Sequence, residues 1–105
     1  MTDNRLVLTS TGSREEADKI ARTLVEERLA ACVNIIPQMH SVYRWQDKVD
    51  EADECLLLIK TFSTAIDRVR ETIRQLNSYE LPECISLSID GGCRQYLKWI
   101  DDSVK

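Results

Sequence analysis

Apolar and polar positions divide the chain into short segments that have either strand or helix spacing. Arg5–Thr9 is apolar and bounded by polar residues, which predicts a buried strand. Ser13 stands three residues before Glu16, as in a capping box that satisfies the free amides of a helix start. Apolar residues at helical spacing follow, and they predict an amphipathic helix over residues 14–29.

A long hairpin is predicted next. Ala31–Ile36 is apolar and predicts a strand, and we expect a bend or bulge at Pro37 because proline cannot donate to a strand ladder. Residues 39–45 keep the two-residue period of a strand, in which alternate side chains point to opposite faces. We therefore expect the strand to continue beyond the bend with its aromatic residues on one face. Residues 46–48 predict the turn, and the return strand covers about Val49–Thr61.

The second half of the chain predicts another helix, a strand and a short helix. Thr64 and Asp67 form a weaker capping box, and the apolar spacing after them predicts a helix over residues 64–76. Cys84–Asp90 alternates between apolar and polar positions, which predicts a half-buried strand. A short C-terminal helix is expected around Tyr96–Ile100.

This order predicts one α+β domain over residues 1–105, a ferredoxin-like β-α-β-β-α-β sandwich with a C-terminal helix. Both main helices would cover one face of a four-stranded antiparallel sheet. The arms of the β2-β3 hairpin look about twice as long as the outer strands and would reach about 40 Å. Their outer half would then have free edges and exposed aromatic residues, so we expect other copies of the chain to cover it. These arguments leave two and three subunits open.

Composition excludes several classes of function. The net charge of −4 argues against a nucleic-acid-binding protein, which usually has a basic face. No polybasic segment and no long apolar segment indicates contact with a membrane. No secretory signal is visible, so we expect a cytoplasmic protein whose four dispersed cysteines are free thiols. No catalytic motif is present, which predicts a protein that is not an enzyme.

Five segments together resemble one known family: Arg28–Pro37, Ser41–Trp45, Glu54–Thr61, Tyr79–Glu83 and Tyr96–Ile100. In their order and spacing they are similar to the CutA family of divalent-cation tolerance proteins. The resemblance extends over nearly the whole chain.

The resemblance implies a ferredoxin-like protomer in a compact homotrimer, with long hairpins that pair between neighbours. It also implies a role in tolerance of divalent cations, copper above all, without catalysis. The trimer would be similar in architecture to the PII signalling proteins, which bind small effectors between subunits. The chain departs from the family pattern at Gln46-Asp47, where many members have a glycine, and at Asn77-Ser78, where many have a His-Pro pair.

Two cysteines are the candidate metal ligands. Cys32 is either a small buried apolar residue or a soft ligand that would favour Cu(I). Cys84, at the start of the last strand, is the second candidate. They are far apart in the sequence, so a shared site must be assembled by the fold or across subunits. His40 is the only histidine, and we interpret it as a solvated strand residue, because one imidazole cannot make a multi-histidine site.

A cleft between subunits is the second candidate site. Glu54 and Lys60 are six residues apart on one strand and therefore share a face, where they either form an ion pair or line a cleft. An apolar wall with a few polar groups is typical of small-molecule pockets. The predicted cleft residues are Tyr43, Trp45, Glu54, Lys60, Tyr79 and Glu83.

Two functional hypotheses follow. The first is a cytoplasmic, trimeric, non-catalytic protein of divalent metal-ion tolerance that binds copper or another divalent cation through Cys32 and Cys84. The second is a PII-like signalling or scaffold protein that holds a small molecule in the cleft between subunits. Neither hypothesis involves a nucleic acid or a membrane.

Overall fold

The structure is a computed structural model that describes residues 2–105. Its elements are β1 (Asn4–Thr11), α1 (Arg14–Glu26), β2 (Cys32–Trp45), β3 (Lys48–Phe62), a 3-10 turn (Ser63–Ala65), α2 (Ile66–Leu76), β4 (Ile85–Ser88) and α3 (Arg94–Ser103). The predicted elements are therefore present in the predicted order.

The four strands form one antiparallel sheet in the order β2-β3-β1-β4. One face of this sheet packs against α1 and α2, and Val7, Leu57 and Ile59 contribute its fully buried centre. Ile20 and Ile73 pack onto them from the two helices. The predicted α+β, ferredoxin-like arrangement is confirmed.

Helix α1 begins as predicted but ends earlier. The Ser13 side chain accepts a hydrogen bond from the Glu16 amide at 3.2 Å, so the predicted N-cap is confirmed. The helix ends at Glu26 and not at residue 29, because Arg28 adopts a left-handed backbone conformation with φ 60°. Leu29 still continues the apolar stripe, since it is buried in the turn that follows the helix.

The predicted capping box at α2 is wrong. Thr64 lies inside the 3-10 turn, and α2 follows with Ala65 at the cap position and no side-chain cap. An N-cap side chain needs extended backbone at its own position, and a 3-10 turn does not provide it. Asp67 instead accepts a hydrogen bond from Arg70 at 2.7 Å on the helix surface.

The hairpin is as long as predicted. Its arms have 14 and 15 residues, and the long axis of the molecule is 44 Å. β3 pairs with β1 only from Cys55 onward, so residues 48–54 pair with β2 alone and extend about 23 Å beyond the rest of the sheet. The turn has two residues rather than three, Gln46 and Asp47, which have φ values of 50° and 65°. Positive φ at both positions is the geometry of a tight type I′ hairpin.

The predicted irregularity at Pro37 is a β-bulge. The register passes from Ile36 opposite Leu56 to Met39 opposite Glu54, so β2 has one residue more than β3 at this point. A shift of one residue moves every later side chain to the other face of a strand. The bulge therefore places the aromatic residues of the outer hairpin on the same face as Glu54, which is the face opposite α1 and α2.

That second face of the sheet is only partly covered. Helix α3 lies against it near Lys60, whose ammonium group donates to the Tyr96 hydroxyl at 3.1 Å. β4 is shorter than predicted, and it is not half-buried as predicted. Ile85 and Leu87 point to the second face and are 49% and 45% exposed, because no part of residues 2–105 packs over them.

Candidate functional site

A cavity of about 700 Å³ lies between the second face of the hairpin and the segment that connects α2 to β4. Five of the six residues of the predicted cleft line it: Tyr43, Trp45, Glu54, Tyr79 and Glu83. The two hairpin aromatic residues are 40% and 36% exposed, so they form an accessible wall.

Tyr79 links the two sides of the cavity. Its hydroxyl donates to the Glu54 carboxylate at 2.7 Å. Partial burial and this carboxylate raise the pKa of Tyr79 far above that of a free phenol, so it remains a neutral donor. A Cβ atom at Gly12 would stand 3.2 Å from the Tyr79 oxygen, so the absent side chain makes room for the phenol.

Asn77 holds the segment that carries Tyr79. Its amide nitrogen donates to the Ser10 carbonyl at 2.9 Å, and its carbonyl oxygen accepts from the Tyr79 amide at 2.9 Å. Next to it, the Ser78 amide donates to the Glu16 carboxylate at 2.8 Å. The Glu16 side chain therefore binds this segment. In a full capping box the Glu16 side chain would instead bond to the backbone amide of the N-cap residue.

Glu83 contributes a further carboxylate to the lining of the cavity. Its backbone carbonyl accepts a hydrogen bond from the Thr9 hydroxyl at 2.6 Å, which fixes the chain just before β4. Burial, followed by the nearby Glu54 charge, raises the pKa of the Glu83 carboxyl above its usual value. Removing water from this carboxylate is costly unless a positive group replaces the water.

Lys60 lies outside the cavity. It shares a strand face with Glu54, as predicted, but six residues of extended strand separate the two by about 20 Å. Of the two alternatives for Glu54 and Lys60, the ion pair is not formed, since Glu54 is bonded to Tyr79 and Lys60 to Tyr96. The Tyr96 ring also lies under the Lys60 ammonium, 5.4 Å from its centroid.

The two candidate metal ligands lie apart within the protomer. Cys32 is on edge strand β2, opposite Lys60, and Cys84 precedes β4 at the other edge of the sheet. Three strand spacings separate these edges, which is about 14 Å. Cys84 packs against the core, and burial raises the pKa of its thiol. Among residues 2–105, no three His, Cys, Asp or Glu side chains are grouped so as to hold a metal ion.

His40 is solvent-exposed, as predicted, but it is not isolated. Its Nδ1 lies 3.1 Å from a carboxylate oxygen of Asp53, and its Nε2 lies 2.9 Å from one of Glu51. Hydrogen bonds to these carboxylates, that of Asp53 first, raise the pKa of the imidazole. The contacts tie the two arms of the hairpin together on the face away from the cavity.

Sequence reasoning missed several residues that build the cavity. Asp50 and Glu80 line it, and neither was included in the predicted cleft. Asn77 and Gly12 position Tyr79 without contacting the open space. The break in helical spacing at Asn77 signalled a loop, but no local pattern indicated that its amide reaches back to β1.

The fold and this cavity define a class of protein: a small ferredoxin-like α+β protein with an overhanging hairpin and an aromatic, acidic cavity at its base. The sequence matches the family described as "CutA1 divalent ion tolerance protein" over residues 5–103. The chain therefore belongs to the CutA family of divalent-cation tolerance proteins.

Individual relatives agree with this assignment. The chain is 47% identical over 98 residues to the divalent-cation tolerance protein CutA of Thermus thermophilus, which covers 93% of this chain and 95% of the relative. A solved CutA1 structure from Thermus thermophilus superimposes with a TM-score of 0.95 at 45% identity, covering 97% of this chain and 99% of that one. A CutA homologue of Xenopus laevis is 50% identical over 88 residues, which are 84% of this chain but only 58% of that longer protein.

No helix within residues 2–105 combines the length and apolar character needed to cross a membrane.

Proposed function

We propose that this protein acts in divalent-cation tolerance as a non-catalytic homotrimer that binds copper or another divalent cation. Membership of the CutA family supports the role in cation tolerance. The uncovered hairpin and second sheet face are the observation that supports assembly. The cytoplasmic location stays a prediction, which fractionation of cells with an antibody against the protein would check.

Exposed apolar side chains support self-association. On the outer hairpin, Val42 and Val49 are 63% and 66% exposed, and on the second sheet face Ile36, Ile85 and Leu87 are each at least 45% exposed. Large apolar side chains exposed on both faces of the sheet favour burial against other copies of the chain. A closed ring of identical copies would cover both surfaces without leaving a free strand edge.

Analytical ultracentrifugation of two matched variants tests the assembly. Leu87→Asp puts a charge on the second face and should reduce the mass of the particle towards that of one chain. Val25→Asp is the control, since Val25 is similarly exposed, at 42%, but lies on α1. A folded wild-type monomer at micromolar concentration would refute the proposed trimer, and equal masses for the two variants would refute the proposed interface.

Copper binding through Cys32 and Cys84 would require ligands from different copies, because the two lie at opposite edges of one protomer's sheet. Thiolates favour Cu(I). Titration with Cu(I) under anaerobic conditions should give binding that Cys32→Ser and Cys84→Ser each weaken. Cys93→Ser is the control, since Cys93 is an exposed free cysteine outside the proposed site. Unchanged binding in the first two variants would overturn the ligand assignment.

The cavity supports a second candidate function, the binding of a small molecule as in a sensor or scaffold. Its volume and its aromatic wall fit a small organic ligand. Native mass spectrometry of protein purified from its own cells should show a retained mass that Trp45→Asp removes. Spectra without any added mass, across growth conditions, would count against this function.

A further inference from the structure

The charges that line the cavity all have one sign. Asp50, Glu54, Glu80 and Glu83 contribute four carboxyl groups, and no lysine, arginine or histidine of the described chain is among the lining residues. Elsewhere on this protein several carboxylates have basic partners at short distance, as in the pair of Glu71 and Arg74 at 2.6 Å. The cavity therefore has a negative potential that its own residues do not neutralise.

The walls of the cavity are aromatic. Tyr43 and Trp45 face it from the hairpin, and Tyr79 faces it from the opposite side. Aromatic rings attract a positive group that lies over their faces, and tryptophan is the strongest of them. The same rings present apolar area to the organic part of a ligand. Carboxylates beside aromatic faces thus favour a cation that also has an apolar body.

The free acceptor atoms fit such a ligand. Tyr79 donates to Oε2 of Glu54, which leaves Oε1 able to accept a hydrogen bond from a ligand. Glu83 is partly buried, and burial raises the pKa of its carboxyl group. A bound ammonium group would offset the cost of removing water from the Glu83 carboxylate, because it supplies the opposite charge and hydrogen-bond donors.

We propose that the cavity between the hairpin and the α2–β4 segment binds a small organic ammonium ion, with its charged head at Glu54 and Glu83 and its apolar body on Tyr43 and Trp45. This proposal rests on the second candidate function, that the cavity holds a small molecule, and it specifies the chemistry of that molecule.

Other ligand classes fit less well. A phosphate or carboxylate ligand would meet four carboxyl groups and no basic side chain. A bare divalent metal ion needs several converging oxygen ligands, and no group of three or more such side chains is assembled within residues 2–105. A neutral apolar ligand would use the rings but would leave the partly buried Glu83 without a counter-charge.

Three probes that share an apolar group but differ in the charge of their polar group test the proposal by isothermal titration calorimetry. Phenethylammonium, 2-phenylethanol and phenylacetate share the phenyl group and carry a positive, a neutral and a negative head. We expect phenethylammonium to bind at least about tenfold more tightly than 2-phenylethanol, and phenylacetate to show no binding. Added salt should weaken only the binding of the ammonium probe.

Matched variants locate the binding. Glu54→Gln keeps the shape of the side chain and should weaken phenethylammonium by about tenfold, with little change for 2-phenylethanol. Glu27→Gln removes the same charge from an exposed position after α1 and should change neither affinity. A Trp99→Phe background leaves Trp45 as the sole tryptophan, so a change of its fluorescence on binding reports directly from the cavity.

The outcomes separate this proposal from the function on which it rests. If 2-phenylethanol binds as tightly as the ammonium probe, or phenylacetate binds best, the cavity holds ligands but the proposed charge selectivity is wrong. If no probe binds, and dilution to single chains restores binding, a second copy fills the cavity and the proposal is overturned. If only Cu(II) or Ni(II) changes the Trp45 fluorescence, the site is a metal site and both the proposal and the small-molecule function fail.

Discussion

Replacing Asn77 by alanine tests how the cavity is held in place. Asn77 is 8% exposed and makes two hydrogen bonds of 2.9 Å, one to Ser10 and one with Tyr79. Each bond contributes about 1 kcal/mol net, and a buried group left without its partner costs about 1–3 kcal/mol. Because Ser10 is buried and Tyr79 half-buried, we expect Asn77→Ala to lower the free energy of unfolding by about 2–4 kcal/mol.

Urea denaturation followed by circular dichroism measures this loss. With a slope near 2 kcal/mol per molar urea, the midpoint should fall by about 1–2 M. All variants must be compared at one protein concentration, since association makes the midpoint depend on it. Ser78→Ala is the control, because the Ser78 hydroxyl makes only an exposed, 3.3 Å bond to Glu16 while the shorter bond uses the backbone amide. If Asn77→Ala costs no more than Ser78→Ala, the proposed anchoring of the segment is wrong.

Three further outcomes are expected. The double change Gln46→Asn and Asp47→Gly should raise the free energy of unfolding by about 1 kcal/mol in the same urea assay, because both positions have positive φ. The His40 pKa is raised, so its pairing should stabilise the protein below the unfolded-state pKa and be lost as the pH rises through the folded-state pKa, which an NMR titration of the ring with unfolding at several pH values will show. Thr61→Val should cost about 1–2 kcal/mol, since its buried hydroxyl donates at 2.6 Å to a backbone carbonyl.

Each of these has a control or an outcome that would contradict it. Asp53→Asn should lower the His40 pKa more than Glu51→Gln does, and an imidazole pKa that stays at its ordinary value in the wild-type protein would contradict the ion-pair argument. Thr64→Ala should be nearly neutral because Thr64 makes no cap, so a loss equal to that of Thr61→Val would contradict the helix start described above. An unchanged midpoint for the turn variant would mean that the positive φ values carry no strain.

Much of the fold was predictable because its causes are local. The spacing of apolar residues predicted the type and order of the four strands and three α-helices, and Ser13 marked the start of α1 correctly. Pro37 predicted an irregularity in β2 because it lacks an amide donor, and a bulge is found there. One error lies at a boundary, at Thr64, where the chain path after β3 and not the residue type determines whether a cap forms. Another concerns burial, since β4 was predicted half-buried and is exposed.

In the candidate site, too, the features that depend on local sequence were predictable and those that depend on long-range contacts were not. Tyr43 and Trp45 could be assigned to a shared face because alternation along a strand is a local property. Lys60 was assigned to that cleft by the same rule, which gives the face of a strand but not the distance along it. The contact between Tyr79 and Glu54 joins residues 25 apart, and the bonds of Asn77 to Ser10 and of Ser78 to Glu16 bring them together.

The sequence by itself determined the elements, their order and the family, and it showed that the hairpin is longer than the rest of the chain can cover. Each of these depends on the spacing of residue types or on similarity along the chain. Tertiary structure alone decided that one extra residue at Pro37–Gln38 turns the outer hairpin towards Glu54, and that Cys32 and Cys84 end at opposite edges of the sheet. The physical reason is that pairing register and strand order depend on contacts between segments far apart in the sequence. These contacts exist only in the folded chain.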